Sequence, residues 1–314
     1  MSTRVTDPHV SVVIPTRNRP EDVHRCLASM AWVSYPCWDV VVVDQSDDER
    51  TEAVVQDFME VLPNLTYYHT REKGAARARN AGIAATVGEV IAFIDDDCVA
   101  RTDWLDQVTA TLQRYPQASL VFGAVESAPH DSRQHYITVY KPRKEKVAQG
   151  SKSFLHTQGL SANMCVCRDA LRQVGLFDTC LGPGSGVFSG GGEDIDLLYR
   201  SLAAGLQVVY TPRVAVEHYG VRDYKSGSVT RLVRDYAYCS GAADMKLLRC
   251  GNMMGLILVA VHALYCVTRI NARNLVLQRG PVNSEWITMY VRGLFASFQL
   301  GIDQTRRLYT PRNP

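Results

Sequence analysis

From residue 10 to about residue 125 the chain alternates short apolar runs with longer segments of helical period, and this alternation constrains the fold more than any other feature. VSVVI, WDVVVVD, LTYYH, EVIAFI and SLVFGAV have the length and β-branched or aromatic content of strands. Between them lie PEDVHRCLASM, ERTEAVVQDFM, AARARNAGIAAT and TDWLDQVTATLQRY, each long enough for a crossover helix. Strands joined in this way run mostly parallel, with helices covering both faces of the sheet. Ligands of such sheets gather at the carboxyl ends of the strands. Pro15, Asp44 and Asp95 each stand at such an end, so three strands deliver polar or turn residues to one edge. With 46% hydrophobic and 21% charged residues in 314, the chain can fill a real core, which excludes a largely disordered protein.

The fourth strand ends abruptly: EVIAFIDDDCVA stops on Asp95, Asp96 and Asp97. Three adjacent carboxylates repel one another, so their placement at a buried strand end needs a reason. A solvated acidic turn is one. The DxDx(T/V) signature of aspartate-nucleophile phosphatases, using Asp95 and Asp97, is another, although that motif ordinarily ends the first strand of its domain and no later GDxxxD loop is visible. The third is a DxD site in which a carboxylate binds Mg2+ or Mn2+ and the cation bridges a diphosphate. A second acidic group, in SGGGEDIDLLYR, puts Glu193, Asp194 and Asp196 in the first turn of an amphipathic helix. Acidic side chains suit a helix N-terminus for reasons of dipole alone. The preceding glycines add a reason of their own, since they let a bulky ligand approach the backbone. Both groups are expected to face one cleft.

Residues 126–153 are polar, basic in the middle and without clear period, which reads as a long loop or lid. Order is expected to resume over 154–220 with two short strands, LQVVYT and VAVEH, at its end. Beyond Gly220 the texture changes. Residues 221–314 carry 13 Lys and Arg against 5 Asp and Glu, whereas residues 1–220 carry 21 against 27. A basic tail on an acidic body points to an anionic surface, membrane or nucleic acid. Residues 226–248 read as a helix, and 250–268 contain no formally charged residue, approaching the length of a membrane span but interrupted by Asn252 and His262. In WITMYVRGLFASFQLGI, the residues Ile287, Val291, Leu294 and Phe298 share one helical face. Helices in a membrane interface, a true span, buried helices and an oligomer interface all remain open. The nine cysteines form no CxxC pair, and MSTRVTDPHV lacks an apolar stretch of signal-peptide length, so a reducing, cytoplasmic setting is expected.

The ordered set VSVVIPTRNRP, VVVVDQSDD, ARARNAGIAATVGEVIAFIDDDCVARTDWL, GLSANMCVCRDALRQVGLFD, GGGEDIDLLYRSLAAGLQVVYTP and the closing EH resembles the family 2 glycosyltransferases over residues 8 to 220. The resemblance implies an α/β fold of GT-A (Rossmann-like) type, a mostly parallel sheet flanked by helices, followed here by a C-terminal helical region. It implies a catalytic domain over 1–220, with nucleotide-sugar binding in 8–125 and the acceptor and catalytic part in 154–220, and leaves 221–314 as a basic, apolar helical tail.

The residue roles follow from the resemblance. Pro15, Thr16 and Arg17 wrap the nucleotide, Asp44 contacts base or ribose, and Arg79 makes a nucleotide-side contact. Asp95 lies near the ribose, Asp97 on the metal, and Asp96 between them without a defined role. Asp194 is the general base and Glu193 orients the acceptor. His218 completes the Mg2+ or Mn2+ site. The implied chemistry is inverting transfer from a nucleotide diphosphate sugar, a UDP-sugar foremost, to an acceptor hydroxyl. Neither the QxxRW motif nor the several membrane spans of processive synthases is visible, so one sugar is added at a time. A catalytically silent nucleotide-sugar binder is the remaining alternative. The expected partners are the donor, a saccharide or lipid-linked acceptor and the anionic inner face of the cell membrane, not nucleic acid.

Overall fold

The computed structural model describes residues 7–150, 153–154, 159–262, 264 and 282–311. The α/β order read from the sequence is the observed one. Strands β1 (Val10–Thr16), β2 (Trp38–Asp44), β3 (Leu65–His69) and β4 (Val90–Ile94) alternate with helices α1 (Pro20–Met30), α2 (Arg50–Met59) and α3 (Ala75–Ala85). They pair in parallel in the order β3-β2-β1-β4. The short β5 (Cys98–Ala100) and α4 (Trp104–Arg114) lead to β6 (Ala118–Ser127). Beyond β4 the sheet continues through β9 (Asn163–Cys167), antiparallel to β4 and β6, and then β10 (Gln207–His218), parallel to β6 and antiparallel to β5. Helices α5 (Arg168–Val174) and α6 (Glu193–Ala203) lie between β9 and β10.

Period-two alternation splits the sheet between two cores. Val10, Val12 and Ile14 face the side covered by α1 and α4, where Leu27, Trp104 and Val108 are fully buried. Val13, Val41 and Val43 face the side covered by α3 and α6, where Ile83, Leu197 and Leu198 pack. Gly82 lets α3 seat directly on β1, since a Cβ there would lie 2.4 Å from Val13 Cγ1.

Two expectations change. LQVVYT and VAVEH are one strand, β10, with a register shift between Tyr210 and Ala215. Residues 126–153 are not all loop: β8 (Lys146–Gln149) extends the sheet against β10, and β7 (His135–Tyr136) pairs with β11 (Arg222–Asp223). Both strands are short and bear no clear alternation, which is why periodicity did not reveal them.

The tail is tied to the body by buried charge. Helix α7 (Ser228–Arg249) carries Lys246, whose Nζ lies 2.5 Å from Asp178 Oδ2 and 2.7 Å from Asp196 Oδ1, with all three side chains buried. Arg200 Nε donates to Asp196 Oδ2, and the backbone N–H of Tyr309, in β13 (Leu308–Thr310), donates to Asp178 Oδ2. Helix α7 also crosses the helix Val282–Ala296 almost backbone to backbone: a Cβ on Gly293 would lie 1.9 Å from Tyr238 O, and one on Gly241 2.1 Å from Tyr290 O. Tyr290, Gly293 and Ala296 are therefore the buried face. In the apolar stripe read from the sequence Ile287 and Leu294 are half-buried and Val291 and Phe298 exposed, because so close a crossing selects for missing side chains rather than large ones. Large apolar groups are left outside, with Phe295 70%, Met253 63% and Leu264 63% exposed. Among the described residues no helix is long and apolar enough to cross a membrane. The segment 250–268 falls partly outside them.

Candidate functional site

A cleft of about 400 Å³ opens at the carboxyl ends of β1 and β4. Its wall includes Pro15, Thr16, Arg17, Arg79, Asp95, Asp96, Asp97, Glu193, Asp194 and His218, so ten of the eleven residues singled out from the sequence meet in one place. Asp196, the third carboxylate of the second acidic group, also lies outside the wall, paired with Lys246 and Arg200; the exception among the eleven is Asp44. Its carboxylate is fully buried, accepting from Tyr67 Oη at 2.9 Å and from the Ser46 backbone N–H at 2.8 Å, and its neighbour Gln45 lines the cleft instead.

The aspartates diverge because successive residues leave a strand end in different directions. Asp95 accepts from Arg79 Nη2 at 2.9 Å. Asp96 turns inward, where it accepts from Thr16 Oγ1 at 2.7 Å. Burial pushes its carboxyl up to about 7, even though Arg19 opposes the shift. Asp97 faces His218 across 3.2 Å. Burial would raise the Asp97 carboxyl too, but the hydrogen bond and charge of His218, together with Arg19, hold it below its ordinary value. Arg19 Nη1 reaches both Asp96 Oδ1 and Asp97 Oδ2 at 3.1 Å. Sequence reading missed Arg19, although it sits in the same TRNRP turn as Arg17; that turn reverses at Asn18, with φ 55°.

Helix α6 supplies the opposite wall. The glycines before it are required by the backbone and by α7: Gly191 and Gly192 have φ of 137° and 94°, and a Cβ on Gly190 would lie 2.4 Å from Asp235 Cβ in α7; Gly190 and Gly191 also line the cleft. Asp194 accepts from the Ser161 N–H at 3.1 Å and from its own helix at Ile195 N–H, 2.8 Å. Each oxygen keeps a lone-pair site for a further donor. Burial raises the Asp194 carboxyl against the pull of Arg79. Burial, with the adjacent Asp194 charge, pushes Glu193 up to about 7. Glu193 Oε1 accepts from Arg79 Nη1 at 2.8 Å, and Oε2 is buried with no partner among the described residues. Arg79 thus bridges the acidic triplet and the Glu-Asp pair from a fully buried position on α3.

Asp97, Cys98 and His218 bring ligand atoms within 4.8 Å of one another. His218 Nδ1 lies 2.8 Å from Thr138 O, a carbonyl that can only accept, so Nδ1 carries a hydrogen and Nε2 faces Asp97, donating to it as imidazolium and offering it a lone pair when neutral. With the imidazole neutral, two acceptors lie 3.2 Å apart, and a proton or a cation has to stand between them. Burial would lower the His218 imidazolium, but the Asp97 contact and charge outweigh it and raise the value. An imidazole oriented from behind by a carbonyl is the usual preparation of a metal ligand. Cys98 does not join: burial keeps its thiol protonated, a poor donor to a hard cation. Gly220 guards the pair, since a Cβ there would lie 2.5 Å from Asp97 Oδ2 and 2.6 Å from His218 Nε2. Arg222 and Tyr236 extend the cleft wall beyond residue 220, and no motif in the sequence marked either of them.

The family model described as Glycosyl transferase family 2 matches residues 11–175. Among curated proteins, the chain is 28% identical over 245 residues to the pre-mycofactocin glycosyltransferase of Mycobacterium tuberculosis, covering 75% of this chain and 47% of that protein. The chain thus spans about half the length of that relative. Among solved structures, the mannosyltransferase PcManGT from Pyrobaculum calidifontis, in complex with GDP-Man and Mn2+, superposes with a TM-score of 0.60 at 17% identity, covering 93% of this chain and 86% of that one. S. aureus TarS in complex with UDP-GlcNAc gives 0.59 at 16% identity over 91% of this chain and 81% of that one. These likenesses show the GT-A fold, with its helix-flanked sheet and a C-terminal helical region.

Proposed function

Because the chain belongs to glycosyl transferase family 2, we propose that it moves a single sugar from a nucleotide diphosphate sugar, a UDP-sugar foremost, to an acceptor hydroxyl with inversion at the anomeric carbon. One observation carries this reading: the Asp97–His218 pair and the Glu193–Asp194 pair line one cleft, and Arg79 ties Asp95, at the start of the acidic triplet, to Glu193 across it. We assign residues 1–220 to catalysis and 221–314 to a docking tail. Family membership takes the place of the phosphatase alternative. PcManGT binds GDP-Man and TarS binds UDP-GlcNAc, so a sugar nucleotide is the donor class and the base is for experiment to identify.

In the proposed reaction an acceptor hydroxyl lies against Asp194. As its oxygen bonds to the anomeric carbon, the proton passes to an Asp194 carboxylate oxygen and the bond to the diphosphate oxygen breaks with its electron pair. Attack from the opposite face inverts the centre, and no covalent sugar-enzyme species is required. Glu193, held by Arg79, orients the acceptor through Oε2. Pro15, Thr16 and Arg17 flank the nucleotide, and Asp95 faces the ribose. Asp97 and His218 fit Mn2+ or Mg2+, and the imidazole counts against Mg2+, which takes oxygen ligands. A divalent cation held by these two side chains would supply the positive charge that a departing diphosphate requires.

The tail reads as a membrane-docking surface that brings a lipid-linked acceptor to the cleft at the anionic inner face of the cell membrane. The exposed Phe295, Met253 and Leu264 and the excess of Lys and Arg beyond residue 220 support this. Flotation with anionic vesicles tests it. A chain that stays soluble without detergent and ignores such vesicles, while forming dimers through the C-terminal helices, would assign this face to an oligomer instead.

The activity itself is tested by nucleoside diphosphate release from a panel of sugar nucleotides with Mn2+ or Mg2+. Release should need the metal, collapse in Asp97→Ala and fall by about two to four orders of magnitude in Asp194→Asn. A catalytically silent binder would give melting-point shifts with the same panel and no release from the wild-type chain.

A further inference from the structure

The cleft has more fixed negative charge than it can use unaided, and most of its positive charge is already committed. Arg79 serves Asp95 and Glu193, Arg19 serves Asp96 and Asp97, and Arg17 serves Asp47 at 3.2 Å. The fourth arginine of the wall, Arg222, is different. Among the described residues its guanidinium has no hydrogen bond and no ion pair, although it is half-buried and lines the cleft. Its backbone is held in place, because β11 pairs with β7 through Arg222 and Tyr136, two residues before the Thr138 carbonyl that fixes His218. The same strand pair therefore presents Arg222 and orients the imidazole, at the end of the cleft where Asp97 sits.

We propose that Arg222 is the guanidinium that grips the diphosphate of the donor and stabilises it as it leaves. This inference rests on the sugar-nucleotide reading above. Arg222 is held by no hydrogen bond or contact ion pair among the described residues and acts on Asp97 only through its charge at longer range, so it is readily recruited, whereas Arg19 and Arg79 would have to abandon buried carboxylates. Its planar fork matches two phosphate oxygens at once, which a lysine cannot do. As the bond to the anomeric carbon breaks, charge accumulates on the diphosphate oxygens, and a fixed cation on that side lowers the barrier. The residue lies beyond the part of the chain that the family model covers, in the stretch where the tail begins.

The test compares nucleoside diphosphates with monophosphates (UDP against UMP, GDP against GMP) on the full chain with Mn2+, by calorimetry. Arg222→Gln should weaken the diphosphate about 10- to 100-fold, the worth of charge-assisted hydrogen bonds, and leave the monophosphate within about twofold. Retained monophosphate binding also reports that the variant is folded. Arg222→Lys should fall between the two, with kcat on a sugar nucleotide reduced more than KM is raised. If the wild-type chain binds diphosphates and Arg222→Gln discriminates as well as wild type, this inference is overturned alone. If the wild-type chain binds no nucleoside diphosphate, the donor reading fails and this assignment fails with it.

Discussion

Replacing Lys246 by Met removes a cation from a place that water does not reach. The Lys246 side chain is 2% exposed, and its partners Asp178 and Asp196 are 1% and 5% exposed. After the substitution Asp196 retains Arg200 at 2.9 Å, and Asp178 retains only N–H donors, from Tyr309 at 2.7 Å and from Cys180 at 3.0 Å. One buried carboxylate is then left without a counter-charge. Breaking a buried pair in this way costs about 3–5 kcal/mol, much more than an exposed pair, and solvent screening gives no relief. For a chain of this size that corresponds to a Tm drop on the order of 10 °C. Urea unfolding should show the same loss as a lower midpoint at unchanged slope. The double variant Lys246→Met, Asp178→Asn should recover a large part of it, because the orphaned charge is gone. A single variant melting within about 2 °C of wild type, or a double variant no better than the single, would refute the view that this charge cluster fastens the tail to the body.

The other expectations concern the cleft. Asp194→Asn should lose about 1–3 kcal/mol of stability besides activity, because an amide has one acceptor oxygen where the carboxylate serves both Ser161 N–H and Ile195 N–H; an unchanged urea midpoint would contradict that geometry. Gly220→Ala should weaken Mn2+ binding about 10- to 100-fold by pushing Asp97 and His218 apart, and titration of the metal by electron paramagnetic resonance reads it directly. With the Asp194 base raised by burial and Glu193 beside it pushed up to about 7, the acid limb of kcat/KM should lie above the ordinary carboxylate range. The stability effect of this pair has the opposite sign. Between the ordinary Glu value of 4.5 and about 7 the folded state holds a proton that the unfolded state has released, so the pair's contribution declines as pH rises through that window. An acid limb below pH 5 would contradict the burial assigned to Glu193.

What could be read from the sequence was what has a period or a motif. The apolar strands and crossover helices announced the sheet, and the two acidic groups announced the cleft because carboxylates at strand ends and helix starts need a reason to be there. The reading fell short where the cause is a contact with something remote in sequence. Asp44 stands at the right strand end, but Tyr67 on the neighbouring strand takes its carboxylate. Arg79 is a buried bridge between residues 16 and 114 positions away. The glycines before α6 answer to α7, Gly220 answers to Asp97, and the Gly241–Gly293 crossing decides which face of its helices is buried. None of these can be inferred from local spacing, since each is set by which residue the fold brings opposite.

The bridge through Arg79 couples the two halves of the cleft mechanically. Because one buried guanidinium holds Asp95 at a strand end and Glu193 at a helix start, neither wall can shift to fit a larger or smaller sugar without dragging the other. Variation in donor or acceptor choice among proteins built this way therefore has to come from parts of the rim that Arg79 does not hold, such as the Pro183–Gly184 turn and the residues around Arg222, while the spacing between the two acidic walls stays constant.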